Sequence, residues 1–331
     1  MPDSEFDLIK QYFATPGVRR TDVALGIGDD AAVLSVPAGM ELVTTIDTLV
    51  SGVHFPEQTA ADAIAWKTVA VNLSDLAAMG AEPAWATLSL TLPAADRDWL
   101  QSFSRGLFEL LTRYNIQLIG GDTVRGPLSV TMQLHGFVKT GQALRRDGAR
   151  CGDRVFVSGP LGDAGLALRI LQDDIVVPAR AKARLLQRLD RPEPRVELGL
   201  ALRTLATAAI DISDGLTADL GHLCNASRVA ATVSLAQLPL SDDYRRCIAS
   251  LPAGDTGRPA SLWDTALSAG DDYELCFTVP ADKQPEAERL GACCIGVIDS
   301  GDTGGHGEVR FVGEDGTPYT PAVSGYDHFG T

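Results

Sequence analysis

Apolar positions change their period several times along the first 140 residues. ELVTTIDTLV at 41–50 is rich in β-branched residues and is predicted to be a strand. In ADAIAWKTVAVNLSDLAAMG at 61–80, Ile64, Val69, Leu73 and Leu76 form an apolar stripe, and Gly80 is a helix stop signal. AWATLSLTLP reads as a strand, DRDWLQSFSRGLFELLTRYN as a helix, and IQLIGGD and LSVTMQLHGFV as two more strands. Near the start, Phe6, Ile9 and Phe13 recur at helical spacing behind Ser4, a capping residue with Asp7 three positions on. Strands and helices alternating in this way indicate an α/β sandwich.

The polar stretch TGQALRRDGARCGD at 140–153 interrupts the pattern, and a fresh strand, RVFVSG, follows it. A domain boundary is therefore placed near residue 145, giving domains 1–145 and 146–331. The second half opens with the helix DAGLALRIL, a helical stretch at 178–190 and a helix at 196–209. The strand-like AAIDIS then leads into the helix GLTADLGHLCNAS, and strands and helices continue to about 300. The expected fold class is α/β (α+β) in two domains. Each half carries an acidic, Gly-flanked loop and a Ser-Asp pair: GIGDD and LSDL in the first, SAGDD and ISDGL in the second. Two domains of one design would produce this, and so would the frequency of Gly and Asp in loops.

Composition narrows the function. Apolar residues make up 45% of the 331, enough for two cored domains. Asp and Glu number 43 against 28 Lys and Arg, a formal net charge of -15. No basic run exceeds two residues, so nucleic acid is not an expected partner. An acidic protein that handles phosphates needs divalent cations to offset repulsion; solubility is the plainer use of the same charge. The six cysteines contain no C-x-x-C pair, and several lie in apolar runs, so buried reduced thiols are expected. MPDSEFDLIK lacks an apolar h-region and no apolar run approaches eighteen residues, so a cytoplasmic protein with no membrane partner is expected.

The chemistry lies in the aspartates. Asp29 and Asp30 sit in GIGDDAAVL, Asp47 lies near the end of TTIDT, Asp75 lies in NLSDLAAMG and Asp122 ends IQLIGGD. Asp211 and Asp214 bracket Ser213 in DISDGL, and Asp271 and Asp272 lie in SAGDDYEL. A single Asp at a strand end is as readily a helix cap, and Asp22 and Asp62 invite only that reading. Collectively the carboxylates at the mouths of apolar strands need partners or a metal. Oxygen-only donors favour Mg²⁺, which keeps waters and bridges carboxylates to phosphates. GIGDDAAV, IGGDTVRG and SGPLGDAG place small residues where backbone N–H groups can approach phosphate, and no P-loop motif is present.

SEFDLI, GIGDDAAVL, TTIDTLVSGVHF, AVNLSDLAAMGAEP, LIGGDT, DISDGL, GDDYELCFTVP and GYDHF occur in order from residue 4 to 329. Together they resemble the thiamine-monophosphate kinase family, part of a wider superfamily that includes aminoimidazole ribonucleotide synthetase. The resemblance implies ATP-dependent phosphorylation of thiamine monophosphate, several Mg²⁺ ions, and a homodimer formed through the first domain. It implies metal ligation by Asp30, Asp47, Asp75 and Asp122, with Thr45 and the Ile46 carbonyl as minor ligands, and by Asp211 and Asp214 in the second domain. Gly121, Asp122, Arg146 and Ser213 match ATP contacts. His54, Asp271 and Tyr326 match contacts to the thiamine phosphate substrate. Asp271 stands where the family usually has Glu, one methylene longer, which leaves room for a bridging water. No Cys precedes Cys151, and the chain ends in HFGT; selenophosphate synthetase needs a reactive residue near its N-terminus, and the carbamoyl dehydratase of hydrogenase maturation needs a C-terminal Cys.

Overall fold

The structure is a computed structural model and describes residues 5–14, 17–172, 176–249, 263–300, 307–323 and 325–326. Ser4 and Phe329 lie outside them. The chain divides into two compact units, one of residues 1–76 with 80–143 and one of 77–79 with 144–331.

The first unit opens with α1 (Glu5–Ile9), which widens into a single π turn, Lys10–Ala14. The predicted opening helix is therefore α-helical only to Ile9. The π turn buries Tyr12 and Phe13, and Ser104 Oγ donates to the Tyr12 carbonyl at 2.7 Å. β1 (Val23–Leu25) and β2 (Val33–Leu34) form a short antiparallel pair. Next come β3 (Met40–Val50), α2 (Ala61–Ala78), β4 (Glu82–Leu92), α3 (Arg97–Arg113), β5 (Gln117–Arg125) and β6 (Ser129–Lys139). The sheet order is β3-β6-β4-β5; only β4 and β5 run parallel, joined by α3 as a crossover needs. Asp96 caps α3, accepting from the N–H groups of Asp98 and Trp99 at 2.9 and 3.1 Å. Gly106 lets α3 approach the start of α2, since a Cβ there would lie 2.2 Å from the Asp62 carbonyl oxygen. Val130, Met132, Leu134, Leu88 and Leu90 are buried on one sheet face, whereas Leu42, Thr44, Ile46 and Thr48 of β3 are exposed. That alternation is the period-2 pattern of a sheet covered on one side.

Asp22 departs from its expected role as a helix cap. Its carboxylate accepts from the Trp85 indole N–H at 2.9 Å and pairs with Arg20 at 2.7 Å. The Arg20 guanidinium holds the Asp22 carboxyl below its usual range. Trp85 is buried edge-on against Phe137, so its N–H needs a partner, and Asp22 supplies it.

The second unit contains β7 (Arg154–Val157), α4 (Asp163–Gln172), α5 (Ala179–Asp190), α6 (Val196–Leu202), β8 (Ala208–Ile212), α7 (Leu216–Ser227) and β9 (Val229–Ser234). It continues with α8 (Asp242–Ile248), α9 (Asp264–Ser268), β10 (Glu274–Val279), α10 (Gln284–Arg289), β11 (Cys293–Ser300), β12 (Val309–Val312) and β13 (Pro318–Tyr319). The strands form one sheet, β13-β12-β9-β11-β7-β10-β8. Leu166, Ile170, Leu185, Leu189, Leu220 and Leu223 pack helices into a shared core with strand residues such as Val155, Ile210 and Cys276. The helix expected over 196–209 ends at Leu202, and Ala208 begins β8. Pairing overrides helical propensity there: β8 joins β10 in register, and Ala209 N–H donates to the Arg145 carbonyl at 3.0 Å. Trp263 packs against this core.

Beneath the β10 end of the sheet lies an ionic network. Glu274, 1% exposed, accepts from Arg195 Nε at 2.7 Å, from Arg188 at 2.9 Å and from the Ser158 hydroxyl. Asp272, two residues earlier, receives the Gly162 N–H on both oxygens at 2.9 and 3.0 Å. Burial pushes the Asp272 carboxyl well above its usual range.

All six cysteines are free thiols, as the absence of pairing motifs predicts. Cys151 is exposed, whereas Cys224, Cys247 and Cys276 are buried, and burial pushes the Cys224 thiol up to about 12. Thiolate is the reactive form. A thiol-titrating disulfide reagent at pH 8 is therefore expected to react first with Cys151 and to reach these three only on denaturation. Fast labelling of Cys224 in the native protein would contradict the packing.

Candidate functional site

Asp47 lies near the end of β3, in the same cross-strand row as Met132 of β6 and Leu88 of β4. Residues in one row share a face, and this row faces the buried side. Asp75 comes from α2. Its carboxylate receives the Thr45 hydroxyl in a short hydrogen bond, and its charge acts on Asp47. Burial first, and Asp75 second, push the Asp47 carboxyl up to about 6. Two carboxylates held together in a half-buried place repel unless a cation joins them. Ile46 is 61% exposed, on the opposite face from Asp47.

A cavity of about 510 Å³ lies in the same unit. Ile9, Phe13 and Leu118 line it with apolar surface; Asp30, Gly121 and Asp122 are among its polar lining. Gly121 has φ +154° and sits so close to β4 that a Cβ would fall 1.8 Å from the Leu88 carbonyl oxygen. Only glycine lets the strand pass there with its backbone open to the cavity. The Asp122 carboxylate turns back to accept from Thr123 N–H at 2.9 Å, and Asp29 does the same for Asp30 N–H at 2.8 Å.

His54 follows β3 in a tight turn. Its N–H donates to the Val50 carbonyl at 2.9 Å, and the Val50 N–H donates to His54 Nδ1 at 3.1 Å. With Nδ1 accepting, the neutral ring carries its proton on Nε2. Lys67, 2% exposed on α2, donates to the His54 carbonyl at 3.1 Å and holds the turn from beneath. Lys67 was not legible as a site residue, because a lysine within a predicted helix reads as a solvated one.

In the second unit, Asp211 is 5% exposed on β8, and Ser213 and Asp214 follow in the loop before α7. Two other predicted residues meet that loop: Asp271 N–H donates to the Ser213 carbonyl at 2.9 Å, and Tyr326 N–H to the Asp214 carbonyl at 3.0 Å. Asp271 and Tyr273 both adopt left-handed backbone, φ 69° and 49°, which is strained for residues with a Cβ. The Tyr273 hydroxyl donates to the Asp271 carboxylate at 3.0 Å. Asp219, in the first turn of α7, was not singled out in the sequence; an acid near a helix start was the only signal. Burial pushes its carboxyl up to about 7, opposed by backbone N–H bonds and by the nearby Arg146 guanidinium. The Arg146 carbonyl receives the Ser227 hydroxyl at 2.7 Å.

The predicted residues thus fall into an Asp47–Asp75–Thr45 group, the cavity with Asp30, Gly121 and Asp122, and the His54 turn in the first unit. The loop joining Ser213, Asp214, Asp271 and Tyr326 belongs to the second. Among the described residues, no three His, Cys, Asp or Glu side chains are grouped to hold a metal by themselves. Mg²⁺ does not require that, since one or two carboxylates with waters and substrate phosphates complete its shell. The oxygen donors of Asp47, Asp75 and Thr45, with repulsion already present, fit such an ion. No described helix is long and apolar enough to cross a membrane.

Residues 28–138 match the family model described as AIR synthase related protein, N-terminal domain. The chain is 48% identical to the thiamine-monophosphate kinase of Escherichia coli (strain K12), covering all of both proteins. It is similar to the crystal structure of thiamine-monophosphate kinase from Stenotrophomonas maltophilia K279a, with TM-score 0.79, 49% identity and 91% and 93% of the two chains covered. It also resembles a structure named as AaThiL complexed with AMPPCP and TMP, with TM-score 0.76, 32% identity and 92% of each chain covered.

Proposed function

Because this chain belongs to the thiamine-monophosphate kinase family, and so is a phosphotransferase with a phosphate group as acceptor, we propose that it transfers the γ-phosphoryl group of ATP to thiamine monophosphate by direct in-line displacement. The product is thiamine diphosphate. The acceptor is a phosphomonoester whose second pKa is about 6, so it reaches neutral pH largely ionised and needs no strong general base. The difficulty is charge. Two unit charges about 4 Å apart repel by roughly 4 kcal/mol at an effective dielectric near 20, and multiply charged partners repel more. Several Mg²⁺ ions supply the neutralising charge when bound. Asp30, Asp47, Asp75 and Asp122, with Thr45 and the Ile46 carbonyl, hold them in the first unit, and Asp211 and Asp214 in the second.

The Asp47–Asp75 pair carries this reading: two neighbouring carboxylates, with the Thr45 hydroxyl on Asp75, offer oxygen donors whose repulsion a bound cation relieves. Gly121 and Asp122 meet the ATP from the cavity, whose lining offers apolar surface for a base and polar groups for phosphates. For Arg146 and Ser213 the family resemblance implies ATP contacts as well. His54 donates its Nε2–H to the acceptor phosphate and stays unphosphorylated. Asp271 and Tyr326 take the cationic thiamine ring system, by charge and by aromatic contact. The family resemblance further supports a cytoplasmic homodimer joined through the first unit.

A coupled ADP-release assay with ATP, Mg²⁺ and thiamine monophosphate tests the proposal. Turnover is expected with thiamine monophosphate and none with thiamine, which lacks the accepting phosphate. Asp122→Asn is expected to lower turnover about 10²- to 10³-fold, the usual cost of losing one electrostatic contact to the transition state. Near-normal activity in that variant would remove Asp122 from the metal site.

A further inference from the structure

Three backbone N–H groups of the Ser213–Gly215 loop converge on one oxygen. Ser213, Asp214 and Gly215 donate to Asp219 Oδ2 at 3.1, 3.0 and 3.1 Å. Asp219 is 3% exposed, and its carboxylate reaches back from the first turn of α7 to the segment that precedes the helix. Free N–H groups at a helix start ordinarily take water or one capping side chain. Here a single carboxylate oxygen gathers three N–H groups of the segment before the helix and so fixes the course of three consecutive peptides.

The loop has little freedom to follow another path. Gly215 has φ +108°, and a Cβ on it would lie 2.8 Å from the Ser268 backbone. Gly270 packs so closely that its Cβ would fall 2.3 Å from the Ser213 carbonyl oxygen. The outward carbonyls of the same loop then hold two other segments, through Asp271 N–H on Ser213 and Tyr326 N–H on Asp214. Inward bonds to Asp219 and outward bonds to Asp271 and Tyr326 leave this loop as the common support of four residues assigned to ligand contact.

We propose that Asp219 is the positioning residue of the second unit: its buried carboxylate sets the loop that presents Ser213 and Asp214 to the metal-bound nucleotide. The inference rests on the kinase reading above. Asp219 itself is buried and turned inward onto the backbone. A capping residue that served stability alone would change the melting temperature and the active fraction. A positioning residue changes how much Mg²⁺ and nucleotide the folded protein needs.

The test uses the full-length Asp219→Ala and Asp219→Asn variants. Asn retains one acceptor oxygen and keeps the loop closer to its native course. Folding is followed by circular dichroism and thermal unfolding. Binding of a non-hydrolysable ATP analogue is titrated at several Mg²⁺ concentrations, alongside steady-state assays. Asp219→Ala is expected to raise the half-saturating Mg²⁺ concentration and the nucleotide Kd about tenfold, with Asp219→Asn intermediate and partial recovery in excess Mg²⁺. Folded variants with wild-type Mg²⁺ and nucleotide dependence would overturn the proposal. Failure of both variants to fold would also overturn it, because the carboxylate would then serve stability. Analogue binding by the wild type without turnover of thiamine monophosphate would sink the kinase reading instead, and the analogue titration would still decide the role of Asp219.

Discussion

Asp47→Asn is expected to abolish turnover while making the ligand-free protein more stable. The two effects have one cause. Burial and the Asp75 charge push the Asp47 carboxyl up to about 6, so near neutral pH it is ionised in surroundings that hold the charge less favourably than water does. An acid whose pKa is raised on folding costs nothing below its unfolded value of about 3.9. It costs stability progressively as pH rises through the folded value, and the full penalty is present above it. Asparagine removes that charge and relieves Asp75. A gain of about 1–2 kcal/mol near pH 7.5 follows, within the roughly two-unit shift at about 1.4 kcal/mol per unit. The gain should vanish near pH 4, where aspartate is already protonated. Turnover in the ADP-release assay should fall about 10³-fold, because charge stabilisation between the two phosphates is the main work of the site. Calorimetry at pH 7.5 and pH 4.5 checks the first effect. A variant less stable than wild type at pH 7.5 would show that Asp47 is a structural partner rather than a strained ligand.

Arg195→Met should produce the largest loss of stability among single surface-reaching residues of the second unit. Arg195 donates through Nε and Nη2 to Glu274, a carboxylate only 1% exposed, and shares it with Arg188. Its removal leaves the buried Glu274 with Arg188 and Ser158 only, and under-compensating a buried carboxylate costs about 3 kcal/mol, the low end for breaking a buried pair. For a unit of this size that lowers the melting temperature by about 6–12 °C. Glu274 begins β10, and the strained Asp271–Tyr273 segment leads into it. The same substitution should therefore raise the KM for thiamine monophosphate more than it lowers kcat. Thermal unfolding with steady-state kinetics measures both, and a melting temperature within 2 °C of wild type would show that Arg188 and Ser158 satisfy Glu274 without it.

Several residues illustrate what local pattern carries. The strand at 41–50 and the helix at 61–80 were legible because their periods of 2 and 3.6 are local properties, and the structure has Met40–Val50 and Ala61–Ala78. The helix at 196–209 was over-extended, because whether Ala208–Ile212 joins a sheet depends on β10, some seventy residues later. Asp22 read as a cap, and its attachment to Trp85, 63 positions on, has no local signature. Lys67 and Asp219 were missed for the same reason. A buried lysine and an exposed one look alike in sequence, and so do a helix-start acid that meets solvent and one that gathers a loop.

By itself, then, the amino-acid order determined the alternation of elements, the run of acidic loops and the family they belong to. All of these follow from neighbours within a few residues or from motifs read in order. Tertiary structure alone decided which carboxylate repels which, that Asp47 faces α2, that His54 carries its proton on Nε2, and that three peptide N–H groups meet on Asp219. Those facts depend on sheet register and burial, which bring distant residues to within a few ångströms and set the dielectric around them, and no short stretch of sequence encodes either.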